Sequence, residues 1–243
     1  YRRKQTSSLN HHRVSTRSRL LLTSYRPLLP NTSNIHEPNL QRPYKMRRDL
    51  EIAANFINPD ARVLDLGCGS GELLQYLGHS KNVTGYGIEK DHEEITACIS
   101  KGVNVIEHDL DEGLDRFPKD SFDMVLLTET LQAIQAPHKL LHQMLDIGIE
   151  CIVTFPNFGH WACRLQLVSQ GKMPIAKHLP HNWFDTPNIH LCTFLDFEEL
   201  CSNDGIRIIE RFVADRDYND GPLIKRWPNL FGKTAFYRLG RAL

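Results

Sequence analysis

From residue 46 onward the apolar positions alternate between a helical period and a strand period. Leu50, Ala53, Ala54 and Ile57 recur at i, i+3, i+4 and i+7, the stripe of an amphipathic helix that Asn58-Pro59 would stop. The run RVLDL (62–66) predicts a short buried strand, and a helix is expected from Glu72. Further strands are predicted over 82–89, 103–108, 122–127 and 151–155, with helices near 93–100 and over Leu140, Leu141, Met144 and Leu145. A late helix is expected at 196–202. Two strand-like runs, 206–213 and 234–239, close the chain around the turn-rich Asn219-Asp220-Gly221-Pro222. Strands alternating with helices imply a mainly parallel sheet covered on both faces, and the terminal pair fits an antiparallel hairpin at its edge. The expected fold class is therefore α/β, Rossmann-like, with seven strands.

Residues 1–45 break this pattern. They are rich in Ser, Arg, Asn and Pro and show no period, so disorder is the expectation, and Met46 is read as the natural start with residues 1–45 upstream of it. An acid-poor, Arg/Ser-rich stretch also has the composition of a transit peptide. Of 29 Lys/Arg and 29 Asp/Glu in the chain, nine bases and one acid (Glu37) fall here, leaving 20 bases and 28 acids in residues 46–243. That acidic excess argues against a nucleic-acid surface. No apolar run is long enough to span a bilayer. The cysteines at 68, 98, 151, 163, 192 and 201 form no C-x-x-C pair and no metal-type grouping with histidine, which reads as reduced thiols of a cytoplasmic protein without a metal site.

Chemistry concentrates in the loop Asp65-Leu66-Gly67-Cys68-Gly69-Ser70-Gly71. After a buried strand the chain must turn sharply, lie close to a ligand and enter a helix, and side chains at the three glycines would obstruct this. A ligand-free tight turn needs only one such glycine. The dinucleotide fingerprint is G-x-G-x-x-G, but here the third glycine comes one residue early and Glu72 takes its place. With Asp65 ahead of the loop, an acid there would repel a pyrophosphate and suit a cationic ligand such as S-adenosylmethionine. Glu89 ends the second strand, where a carboxylate can accept both ribose hydroxyls. Asp109 follows the third, where it can accept from an adenine amino group while Leu110 packs on the ring. Thr128 and Glu129, after the fourth strand, would flank the methionyl end. The expected cofactor-binding set is thus Asp65, Gly67, Cys68, Gly69, Gly71, Glu89, Asp109, Leu110 and Thr128.

Between the fifth strand and the late helix, residues 155–193 are dense in aromatic, His, Asn and Pro residues, where a lid or substrate segment is expected. Trp161, Trp183 and Phe184 either fill a secondary core or face a ligand. The polar members Asn157, His160, Arg164, Asp185, Asn188 and His190, together with Trp161, are candidates for a substrate or partner segment. His160 and His190 are the candidate bases if one is needed.

The segments RVLDLGCGSGELL, GYGIE, KGVNVIEHDLDEGL, LTETLQAI, FPNFGHW-x-x-RLQL, GKMP, WFDTPNIHLCT-x-x-DFE-x-LC and RWPNLFGKTAFYRL together resemble the methionine biosynthesis protein MetW family, over essentially Met46 to Leu243. The glycine loop alone indicates only the class I methyltransferase superfamily; FPNFGHW and DTPNIHLCT are far more particular. Residues 1–45 have no counterpart in the family. The resemblance implies a small cytosolic bacterial protein of class I methyltransferase fold, associated with a homoserine O-acyltransferase. Two functions stay open. One is an accessory partner that binds S-adenosylmethionine or S-adenosylhomocysteine and supports or regulates that acyltransferase. The other is an active methyltransferase on a small-molecule acceptor, since methyl transfer needs little beyond alignment. No Asn/Asp-Pro-Pro-aromatic box follows the fourth strand, which disfavours base or amide N-methylation.

Overall fold

The computed structural model describes residues 46–214 and 221–242; the expectations for residues 1–45 and for Asn219-Asp220 lie outside them. Seven strands form: β1 (Arg62–Leu66), β2 (Thr84–Glu89), β3 (Val105–Glu107), β4 (Phe122–Thr128), β5 (Gly148–Pro156), β6 (Ile206–Ala214) and β7 (Thr234–Arg241). They join one sheet in the order β3-β2-β1-β4-β5-β7-β6. The first five are parallel, while β7 runs antiparallel to both β5 and β6. The terminal hairpin therefore adds to the edge with its second strand innermost.

Helices α1 (Arg48–Asn55), α2 (Glu72–Lys81), α3 (His92–Ser100) and α4 (Pro137–Ile147) connect or flank the parallel strands. Alternation along each strand divides the core in two. Val63, Met124, Leu126 and Ile152 meet α1 and α2 on one face. Leu64, Leu66, Val125, Leu127 and Val153 point to the other, among Leu141, Met144 and an aromatic group of Phe155, Phe194, Phe197 and Tyr237. Phe155 and Tyr237 stack across neighbouring strands with ring centroids 5.9 Å apart.

Three short or late helices complete the chain: α6 (Phe194–Asn203), α7 (Pro222–Arg226) and α8 (Pro228–Phe231), with α5 (Trp161–Gln170) ahead of them. Helix α6 opens on a capping box between Thr193 and Asp196. Helix α5 was not expected from the sequence, which reads as irregular there. Only Cys163 of its ten residues is buried. Its N-cap is His160, outside the usual Ser/Thr/Asp/Asn set, and Gly171 ends it in the left-handed conformation.

The strand order fixes where a ligand can go. The chain leaves β1 towards β2 and β3 on one side, then crosses back to β4 and β5 on the other. Connections leave the carboxyl ends of β1 and β4 in opposite directions, opening a crevice between them.

Candidate functional site

The loop from β1 to α2 is held in shape by its neighbour strand: Gly67 and Cys68 both donate their amides to the Ile88 carbonyl, at 2.8 and 3.1 Å. Gly67 has φ +69°, and a side chain there would start 2.7 Å from the Thr130 hydroxyl. Glycine is thus required twice over, by backbone conformation and by the approach of Thr130. The Glu89 carboxylate braces the same loop. Its Oε2 accepts from the Gly69 amide at 2.9 Å, and its Oε1 accepts from the Lys90 and Asp91 amides at 2.8 and 3.1 Å. Ionised oxygens have further lone pairs, so hydroxyl donors can still be received.

Beside the loop lies a cleft of about 370 Å³, part of it open to solvent, walled by Gly67, Glu89, Asp109, Leu110, Thr130 and Ile134. Asp109 caps the 3-10 turn Leu110–Glu112 by accepting from the Asp111 amide at 3.1 Å. That bond, with Lys90 at 3.3 Å, holds its carboxyl below the ordinary range. His108, at the cleft floor, has both ring nitrogens engaged, with the Gly113 carbonyl and with Arg116, each at 2.7 Å.

Under the loop sits Asp65, 2% exposed, and its Oδ1 has no hydrogen-bond partner. Burial, and then the Glu89 charge, push its carboxyl up to about 7. Glu129 has φ +56°, donates its amide to Thr154, and is also held above the ordinary range by desolvation and by Asp49, against Arg47. Thr128 lies one step back, its carbonyl accepting from the Thr130 hydroxyl at 3.0 Å. A buried carboxylate with an unpartnered oxygen and Glu89 beside it fits a cationic group and repels a phosphate, while Arg47 already pairs with Asp49 and Glu129. Asp49 is a member the sequence reading passed over. It is 5% exposed and lies on the apolar face of α1, and that misplaced acid was the available signal.

The structure thus gathers Asp65, Gly67, Cys68, Gly69, Gly71, Glu89, Asp109, Leu110 and Thr128 at one sheet edge. The second set divides. Asn157 is fully buried and its side chain is spent on backbone: it donates to Asn229 and Gly232 carbonyls and accepts from the Gly159 amide. His160 is 4% exposed, caps α5 by accepting from the Ala162 amide at 3.2 Å, and packs edge-on to His178. Arg164 donates to the Gly159 carbonyl at 2.6 Å. These three form a packed turn. Trp161, Asp185 and His190 lie exposed, and Asn188, half-buried, lines a second hollow with Phe158, Leu179, Trp183 and Leu191. The carbonyl of Gln132, between the cleft-lining Thr130 and Ala133, accepts from the amides of both Ile189 and His190. The cleft wall and the excursion are therefore bonded directly, and Gln132 Oε1 is itself buried without a partner.

Burial, then the charges of His178 and Lys233, lower His160 from its ordinary 6.5 to about 4. A depressed histidine contributes stability that is full above its unfolded value and drains as pH falls towards the folded one. Wild type should therefore lose more stability than His160→Asn, which keeps a capping side chain, between about pH 7 and pH 4.5, by about 2 kcal/mol. Urea melts at the two pH values read this directly; parallel losses would contradict the buried neutral histidine.

Residues 47–239 match the family Methionine biosynthesis protein MetW. A curated relative, the bifunctional methionine biosynthesis protein MetXA/MetW of Rhodopirellula baltica, is 33% identical over 93% of this chain. The chain spans about a third (36%) of that relative's length. Among solved structures, a SAM dependent methyltransferase from Archaeoglobus fulgidus shares the fold at TM-score 0.57 and 18% identity, covering 79% of this chain and 90% of its own. The cyclase SpnF aligns equally well, at TM-score 0.57 and 13% identity over 84% and 86% of the two chains, so the fold alone does not fix the reaction. No helix among the described residues is long and apolar enough to cross a membrane. By the extent of the family match and the identity to its curated relative, this chain belongs to the MetW family of methionine biosynthesis proteins.

Proposed function

We propose that the chain binds S-adenosylmethionine or S-adenosylhomocysteine in the cleft beside its glycine loop and supports or regulates a homoserine O-acyltransferase. The unpartnered, buried oxygen of Asp65 carries the ligand reading, since a cation with hydrogens to donate is what that carboxylate lacks. Glu89 would accept the ribose hydroxyls, Asp109 the adenine amino group, and Leu110 and Ile134 would cover the ring. Asp65, Thr128 and Glu129 would face the methionyl end, with Gly67, Cys68, Gly69 and Gly71 letting the backbone lie close. Adenosylmethionine, when bound, supplies a sulfonium cation bearing a transferable methyl group.

The regulatory half is supported by the curated relative, whose name joins MetXA and MetW in one chain. It is also supported by the shared Gln132 wall, through which a filled cleft can favour one arrangement of the excursion. His160 is committed to capping α5, and His190 Nε2 lies 3.2 Å from the Gln135 carbonyl. Neither is placed as a free base, and a methyl transfer here would rest on alignment alone.

Titration calorimetry of the full chain with each ligand should give saturable heat, and Glu89→Ala should weaken binding at least about tenfold by removing both a charged acceptor and the loop brace. No heat with either ligand would sink the reading. Transfer of a labelled methyl group from bound adenosylmethionine to a metabolite pool would shift it to an active methyltransferase.

A further inference from the structure

Between residues 161 and 191 only Cys163, Pro174 and Leu179 are buried, so the excursion has almost no core of its own. It nevertheless carries Val168 at 85%, Trp183 at 75%, Phe184 at 70%, Leu165 at 58% and Ile189 at 57% exposure. On α5, Trp161, Leu165 and Val168 fall at i, i+4 and i+7, an apolar stripe aimed away from the sheet. A helix this short draws most of its stability from packing an apolar face, and the face available here is turned outward. Trp183 and Phe184 form an exposed edge-to-face pair, with centroids 5.7 Å apart. Exposed apolar side chains of this size and number mark an interaction site.

The charges on the excursion narrow the occupant. Arg164, Lys172 and Lys177 lie within 161–191 against a single acid, Asp185, although residues 46–243 as a whole carry an acidic excess. A symmetric contact between two copies would set this basic rim against itself, at a cost in like-charge repulsion. A different protein with an apolar face and an acidic rim fits better. The curated relative joins a MetW part to a second, MetXA part in one chain, holding two modules at fixed one-to-one ratio.

We propose that the outward face of α5 and the Trp183–Phe184 turn form the docking surface for a homoserine O-acyltransferase. This rests on the partner reading given above and adds the surface to it. Aromatic and aliphatic anchors on the same segment as Arg164, Lys172 and Lys177 supply the residue types of interface cores and polar rims.

The test mixes the full chain, wild type or carrying Val168→Asp or Trp183→Ala, with the cognate homoserine O-acyltransferase. It measures co-elution and affinity, with adenosylhomocysteine binding as the check on folding. The surface requires each substitution to weaken association at least about tenfold while leaving adenosylhomocysteine affinity unchanged. If wild type associates and both variants match it, the surface is overturned and the partner reading stands. If wild type does not associate, the partner reading falls and takes the surface with it. Self-association of the chain that Val168→Asp abolishes would give the surface to a second copy and overturn the proposal.

Discussion

Asp65→Asn should make the unliganded protein more stable at slightly alkaline pH while weakening its ligand. In the folded chain the Asp65 carboxyl is pushed up to about 7 from an ordinary 3.8, by burial and by Glu89. For a raised carboxyl the stability it contributes is full below the unfolded value and is lost as pH rises through the folded one. At about pH 8 the ionised group is a buried charge with an unpartnered oxygen, and the amide relieves that charge. The expected gain is about 1–3 kcal/mol, less than the full electrostatic relief because the amide brings its own unsatisfied polar atoms. The same change removes the negative charge offered to a cationic ligand, so affinity for adenosylmethionine should fall by about tenfold to a hundredfold. Thermal melts against pH, paired with calorimetry, separate the two effects. Loss of stability together with unchanged affinity would show that Asp65 serves the fold.

Asn157→Ala is expected to be among the most destabilising single changes in the excursion. The Asn157 amide donates to the Asn229 carbonyl at 3.1 Å and the Gly232 carbonyl at 2.9 Å, and its oxygen accepts from the Gly159 amide at 2.8 Å. These bonds tie the exit of β5 to the turn between α8 and β7. Alanine strips a partner from the buried Gly232 carbonyl, the buried Gly159 amide and the half-buried Asn229 carbonyl, a loss of about 3–5 kcal/mol. Urea denaturation of the full chain measures it. A residue that served only to contact substrate or partner would leave the midpoint unmoved, so an unchanged midpoint would return Asn157 to the binding set.

The contrast between these two residues shows what was legible in the sequence. Strand β1, its glycine loop and the start of α2 are local: one buried run, one turn and one helix start, all within a dozen residues. The acids at 65, 89 and 109 could be read together because each closes a recognisable strand of a parallel sheet. The antiparallel terminal pair was legible for the same reason, though not that β7 would insert between β5 and β6. Asn157 reads as a binding residue because it is polar in an aromatic-rich segment, but two of its three side-chain partners lie more than seventy residues away in sequence. Helix α5 escaped because its apolar stripe is only three residues long, its N-cap is a histidine, and it sits among aromatic, Asn and Pro residues that read as irregular. Asp49 escaped because one acid on an amphipathic helix is ordinarily solvated, whereas in the fold it lies buried beside Arg47 and near Glu129, just past β4.

The two levels of the account meet at Gln132. Its neighbours wall the cleft, and its carbonyl holds the amides of Ile189 and His190 at the root of the exposed apolar surface. With a ligand in the cleft and a partner on the excursion, as proposed, this bonded path would join the two sites, and any coupling between them would have to be reciprocal.

The most direct measurement is the initial rate of acyl transfer by the cognate homoserine O-acyltransferase, with and without the full chain, at saturating substrates. The account predicts a rate that changes on adding the chain and changes again when adenosylmethionine or adenosylhomocysteine fills the cleft. A rate indifferent to the chain, with and without ligand, would contradict it.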